Sequence, residues 1–173
     1  MQLLICPGYH AAELTQSFLR SLSSDLSLDN VWQLPIWVVP GSLPWLLGDK
    51  NAPRIDRPLS VIAFSAGVVG AYPLVLAWQN MGGTGRLIAV DGWGMPLPGI
   101  LSVYRMSHDR WTHSTTYFPS PQESKGYFYS HPAVAHLDLW QSPQQSQGFG
   151  SIGGVVRPMS ALDFVGAALT APA

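Results

Sequence analysis

Leu59-Ser60-Val61-Ile62-Ala63-Phe64-Ser65-Ala66-Gly67-Val68-Val69-Gly70 decides how this chain is read. An apolar, β-prone run ends at a single serine that has Ala63 two positions before it and Gly67 two positions after it. Where a strand turns abruptly into a helix, the residue at the tip takes a strained backbone conformation, and bulky residues two positions away would collide with neighbouring backbone. Small residues at 63, 67 and 70 meet that demand. The usual form of such a nucleophile elbow is G-x-S-x-G; here Ala63 stands at the first glycine position, where a methyl group is still small enough. Two other readings compete: an ordinary buried strand-to-helix turn, and a membrane span, since no charge falls between Pro58 and Gly85. Ser60, Ser65, Pro73, Gln79 and Asn80 interrupt the roughly 20 apolar residues that a spanning helix requires, so no membrane span is expected.

Outward from the elbow, strand and helix signals alternate. Leu3 to Cys6 reads as a short buried strand, broken by Pro7-Gly8 before a helix of about Ala11 to Ser24, where Leu14, Phe18, Leu19 and Leu22 recur at helical spacing. Val31 to Val39 reads as a second strand interrupted at Pro35, and Pro40 to Pro53 as turn-rich. Leu59 to Phe64 feeds the elbow, and Ala66 to about Gln79 is the following helix, with Pro73 predicting a kink near Val69. Arg86 to Val90 is another buried strand, and Leu101 to Met106 and Tyr127 to Tyr129 are further ones. Gln141 to Gly154 reads as a polar, glycine-rich loop, and Ser160 to Leu169 as a closing helix capped by Ser160. This order predicts an α/β fold: a three-layer α/β/α sandwich with a mostly parallel sheet, in one domain spanning 1–173, with ligands outside the carboxyl ends of the strands.

The chain has 173 residues, 47% hydrophobic and 11% charged, too apolar for disorder and long enough to bury a core without staples. Its formal charge of -1, with nine scattered Lys and Arg, gives no reason to expect nucleic acid. The single cysteine, Cys6, excludes an internal disulfide and reads as a buried thiol in a reducing compartment; with no basic N-terminal region, a cytoplasmic location is expected. His108 and His113, and His131 and His136, lie five apart, a spacing that does not put both rings on one helical face. With no H-E-x-x-H or paired-cysteine motif, and no G-x-G-x-x-G or phosphate-binding loop, no metal centre and no cofactor are expected.

A serine hydroxyl needs a general base within hydrogen-bond reach and a third group that holds the base in the right tautomer. Around Ser65 and the setting Ala133-Val134-Ala135-His136-Leu137-Asp138-Leu139-Trp140, the chain resembles the α/β-hydrolase superfamily, in particular its small, lidless serine esterases and lipases. Gly92-Trp93-Gly94 and Leu137 to Trp140 also resemble an uncharacterised bacterial hydrolase-like group. The resemblance implies the chain order serine, acid, histidine. His10, which precedes Ser65, drops out as the base. His136 then stands first, directly after the expected last strand, with His113 second and His131 third. For the acid it implies Asp109, after the strand where the acid normally resides, with Asp91 as the rival from an earlier strand.

The same resemblance implies an oxyanion hole made by the amides of Ala66, after the nucleophile, and Tyr9, in the loop Cys6-Pro7-Gly8-Tyr9-His10. Trp32, Trp37, Trp45, Trp93 and Trp111 are candidates to line an acyl or aryl pocket, although core burial explains most tryptophans. The function so implied is hydrolysis of a carboxylic ester or thioester of a small-molecule acyl substrate. The alternative is a hydrolase-like fold that binds or interacts without catalysis. Oligomeric state has no signal in the sequence.

Overall fold

Alternate residues of β1 (Gln2–Cys6) enter opposite layers: Leu3 and Ile5 join one apolar cluster, Leu4 and Cys6 another. That period of two recurs in β3 (Leu59–Phe64), where Ile62 and Phe64 face the first cluster and Val61 and Ala63 the second. A strand buried on both faces reads as a continuous apolar run, the pattern of a parallel sheet covered by helices on both sides. The computed structural model of the protein describes residues 2–23, 30–34, 52–92, 95–97, 102–116 and 124–172.

Within them, the sheet has eight strands in the order β2-β1-β3-β4-β5-β6-β7-β8. Its remaining strands are β2 (Asn30–Gln33), β4 (Gly85–Val90), β5 (Ser102–Ser107), β6 (Gly126–Ser130), β7 (Gln147–Ile152) and β8 (Val155–Ser160). The pairings from β2 through β6 are parallel, and β7 and β8 add an antiparallel hairpin at one edge. Helices α1 (Ala12–Ser23), α4 (His136–Gln141) and α5 (Ala161–Thr170) supply Phe18, Trp140 and Phe164 to the first cluster. Helix α2 (Gly67–Asn80) supplies Val68, Val75 and Trp78 to the second, and α3 (Arg110–Thr116) lies against β5 and β6. The fold is therefore α/β with a mostly parallel sheet flanked by helices, as the alternation of signals implied.

Several local expectations meet particular outcomes. Helix α2 spans Gly67–Asn80 with Pro73 inside it, matching the expected helix of about 66–79, and the charge-free segment 58–85 is a strand and a helix; among the described residues no helix is long and apolar enough to cross a membrane. Cys6 is buried, and burial pushes its thiol up to about 12. Ser160 caps α5 in a reciprocal capping box with Asp163. The expected loop at 141–154 is corrected: β7 lies within it and is joined to β8 by Gly153-Gly154, which carry φ of 67° and 86°. Positive φ at both central positions is what a two-residue hairpin with a type I′ turn needs. His136 consequently does not follow the last strand but precedes two more. The Pro35 break and the segment 40–51 lie outside the described residues.

Gly8 has φ 73°, and a Cβ there would strike the carbonyl of Phe64, one residue before the elbow serine; a Cβ on Gly67 would strike the carbonyl of Cys6. The loop after β1 thus lies directly on the elbow backbone, which is why both positions are glycine. Gly8→Ala should lower stability by about 3 kcal/mol, combining left-handed strain with a backbone collision. Gly153→Ala, at φ 67° with nothing within 4 Å of the added methyl, should cost about 1 kcal/mol. Urea unfolding of the two variants checks the order; equal losses would mean that the loop does not press on the elbow.

Candidate functional site

The parallel ladder aligns Phe64 with Val90 and Val90 with Met106. It then continues one residue past the strands: the Ser65 amide donates to Val90 O at 2.8 Å, and the Asp91 amide donates to Met106 O at 2.8 Å. Ser65 and Asp91 are the two non-glycine residues with positive φ among the described residues, at 51° and 50°. Left-handed backbone is disfavoured for L-residues by roughly 1–2 kcal/mol, and such outliers concentrate at functional sites. Asp tolerates it better than most, because its short side chain bonds locally. After Ser65 the chain enters α2 with Ala66 at its N-cap and no side chain capping it, so the helix start presents uncapped backbone donors beside the serine.

Asp91 is the hub of the side-chain network. Its carboxylate is 1% exposed; Oδ2 accepts from Nδ1 of His136 at 2.8 Å and from Nδ1 of His108 at 2.9 Å, and Oδ1 accepts the backbone amide of His108 at 2.9 Å. Burial works to raise the Asp91 carboxyl, but the bonds from His108 and His136 outweigh it and hold the group below the usual carboxylate value. An ionised carboxylate only accepts, so each ring carries its proton on Nδ1; a neutral ring then has Nε2 as a free acceptor. The bond to Asp91 raises the pKa of His108 against the opposing effect of burial.

His136 opens α4, whose Leu139 and Trp140 are fully buried. Trp140 stacks on Phe18 at 3.9 Å between ring centroids, which fixes the helix, and the Val134 amide donates to His108 O at 3.1 Å, which fixes the preceding loop. The imidazole lies on the ring of Phe64, centroids 4.6 Å apart, next to the elbow serine. Its side chain is 42% exposed, so one edge is open to the cleft.

That cleft, of about 520 Å³, is lined by Ser65, Ala66, Asp91, His108 and His136 among others. Ser65 is half-buried. Tyr9 is 76% exposed and does not line the cleft, although Gly8 before it lies on the elbow. Asp109, the acid placed first in the sequence, is at the rim with other partners: its Oδ1 accepts the Thr112 amide at the start of α3, and its Oδ2 stands 3.5 Å from His108 Nε2. The carboxylate bonded to His136 belongs to Asp91. His131 packs near Phe149. Of the five tryptophans, Trp111 lines the cleft and Trp32 packs on the second core cluster; Trp37, Trp45 and Trp93 lie outside the described residues.

His108 is the partner the sequence did not single out. Its signals there were a place two residues beyond a predicted strand, beside Asp109, and the five-residue spacing to His113. One donor atom each from Asp91, His108 and His136 lie within 4.8 Å of one another, a nitrogen and oxygen set of the kind that Zn2+ accepts. A cation held through an Nδ1 would have to replace the proton which that nitrogen now directs at Asp91.

His113 stands apart, 4.8 Å and 5.0 Å from the rings of Tyr127 and Tyr129. Burial pushes its pKa down to about 4, with the charges of Arg105 and Arg110 adding to it. A folded value below the unfolded 6.5 means the contribution is whole above pH 6.5 and lost as the pH falls towards 4. His113→Phe, which keeps a ring against the tyrosines, should flatten that acid-side loss; urea midpoints at pH 7 and pH 4.5 for wild type and variant measure it, and parallel losses would contradict it.

No model of a known protein family matches the chain, and no curated protein matches it, so the case for what the site does rests on its own geometry.

Proposed function

We propose that the chain is a serine hydrolase of the α/β-hydrolase type that cleaves a carboxylic ester or thioester through an acyl-enzyme on Ser65. The observation that carries this is the bond between Asp91 and Nδ1 of His136, formed beside a left-handed serine at the end of the neighbouring strand. Asp91, the rival acid at sequence level, takes the role ahead of Asp109, because it is the carboxylate that holds His136.

In this mechanism His136 Nε2 removes the Ser65 hydroxyl proton as Oγ attacks the acyl carbonyl. Asp91 keeps the ring in the Nδ1–H tautomer and stabilises the imidazolium that forms. The developing oxyanion meets the amide of Ala66 at the positive end of α2, and the second donor proposed is the amide of Tyr9, a residue whose side chain lies outside the cleft but which follows Gly8 on the elbow. The imidazolium returns its proton to the leaving alkoxide or thiolate. Water, deprotonated by the same nitrogen, then releases the carboxylic acid and restores Ser65. His108 is a positioning residue: by donating to both oxygens of Asp91 through its ring and its amide, it fixes the carboxylate that orients His136.

A fluorophosphonate probe should label the wild-type protein and not Ser65→Ala, and kcat for p-nitrophenyl butyrate should fall at least about a thousandfold in that variant. EDTA should leave both readouts intact; loss on chelation would move the chemistry to a cation held by Asp91, His108 and His136. Absence of labelling in folded wild type would favour a non-catalytic binding module. The two acids separate cleanly: Asp91→Asn should lower kcat by about a hundredfold or more, because the amide favours the wrong imidazole tautomer. Asp109→Asn should stay within about tenfold of wild type. The reverse order, with folding verified by circular dichroism, would return the role to Asp109.

A further inference from the structure

The first turns of α2 and α3 both bring apolar side chains to the cleft. Val69 is 46% exposed where its neighbour Val68 is fully buried, and Trp111 is 64% exposed; both line the cleft, with Met95 beside them. Single exposed apolar residues are ordinary, but several sharing one concave surface mark a place where an apolar group binds. Charge points the same way. Among the described residues no Lys or Arg lines this cleft; Asp91 and Asp109 do, and His108, whose ring also lines it, stands between these two carboxylates, 2.9 Å from Asp91 and 3.5 Å from Asp109. Asp91 is satisfied by three donors, and the side chain of Asp109 is 26% exposed.

We propose that the cleft over Ser65 takes esters whose acyl group is uncharged and apolar, seated against Val69, Met95 and Trp111, and turns away acyl groups that end in a carboxylate. The proposal rests on the serine-hydrolase reading of this site. A neutral chain removes its own methylenes and the indole face from water together. A terminal carboxylate in the same position would lose hydration, find no lining Lys or Arg among the described residues, and lie near Asp109, which is rejection by an unpaired like charge.

The test uses p-nitrophenyl acetate, butyrate, hexanoate and hemisuccinate with the full-length protein. Expected is a rise in kcat/KM of about tenfold or more from acetate to hexanoate, with hemisuccinate at least about tenfold below butyrate. Trp111→Ala should compress the hexanoate-to-acetate ratio several-fold, and Val69→Lys should raise the hemisuccinate-to-butyrate ratio; both positions are exposed, so folding is spared. Binding of hexanamide and of succinamate to Ser65→Ala, measured by calorimetry, reads the pocket without chemistry. Hexanamide should bind at least about tenfold more tightly. A wild type that neither turns over ester nor accepts fluorophosphonate overturns the Ser65 mechanism, and the calorimetric comparison then decides the pocket by itself. Succinamate binding as tightly as hexanamide, or a flat chain-length series that Trp111→Ala does not alter, overturns the proposal.

Discussion

The hydrogen bonds from Ser65 N–H to Val90 O and from Asp91 N–H to Met106 O extend the parallel ladder one step beyond the regular strands. They hold two residues in left-handed backbone side by side. Strain of that kind persists only where the surroundings over-determine it. Here the surroundings are the loop at Gly8, packed without room for a Cβ on the Phe64 carbonyl, and Gly67, packed likewise on Cys6 O. The elbow is therefore clamped from the β1 side and tied from the β4 side. The cleft follows from this constraint, because chain ends that would otherwise diverge are kept level across β3, β4 and β5.

Much of the fold was legible because its signals are local. An apolar run of strand length, a break at Pro7-Gly8, and small residues around Ser65 each report on a few neighbouring positions, and together they imply strands alternating with helices. The hairpin of β7 and β8 was missed for a physical reason. Its inward positions include Gly148 and Gly150, which leave room for Tyr129 O and for Met159 and Phe164, so no apolar alternation marked it. Gly153-Gly154 was the available signal, a two-residue turn that was absorbed into an expected loop. β8 itself is an edge strand with Pro158 and exposed Val155 and Val156, a composition that weakens any strand pattern.

The site was legible as a set of residue types and illegible as a set of partners. Ser65, Asp91 and His136 all stood among the candidates, but which carboxylate meets which imidazole depends on where strands end relative to one another. Asp91 and Asp109 each follow a strand and differ little in sequence setting. What separates them is depth: Asp91 is buried, and its charge would be costly unless several donors meet it. Asp109 has 26% of its side chain in solvent and is satisfied largely by the Thr112 amide. The deeper carboxylate recruits both histidines because the desolvation it suffers must be offset by bonds.

That recruitment also explains why two imidazoles on one oxygen need not be equivalent. His108 is attached to Asp91 twice, by ring and by backbone amide, and its other nitrogen stands near Asp109. The ring bond to Asp91 and the nearby charge of Asp109 favour the protonated ring, and the amide bond helps to fix it in place, which suits a group that positions a charge. His136 is attached once, at the first turn of a short helix, and lies on Phe64 with 42% of its side chain exposed. A general base has to accept a proton and give it back, so it needs one anchored nitrogen and one open to the substrate. On the proposed serine-hydrolase reading, this asymmetry of anchoring, more than the identity of the residues, favours positioning for His108 and proton transfer for His136.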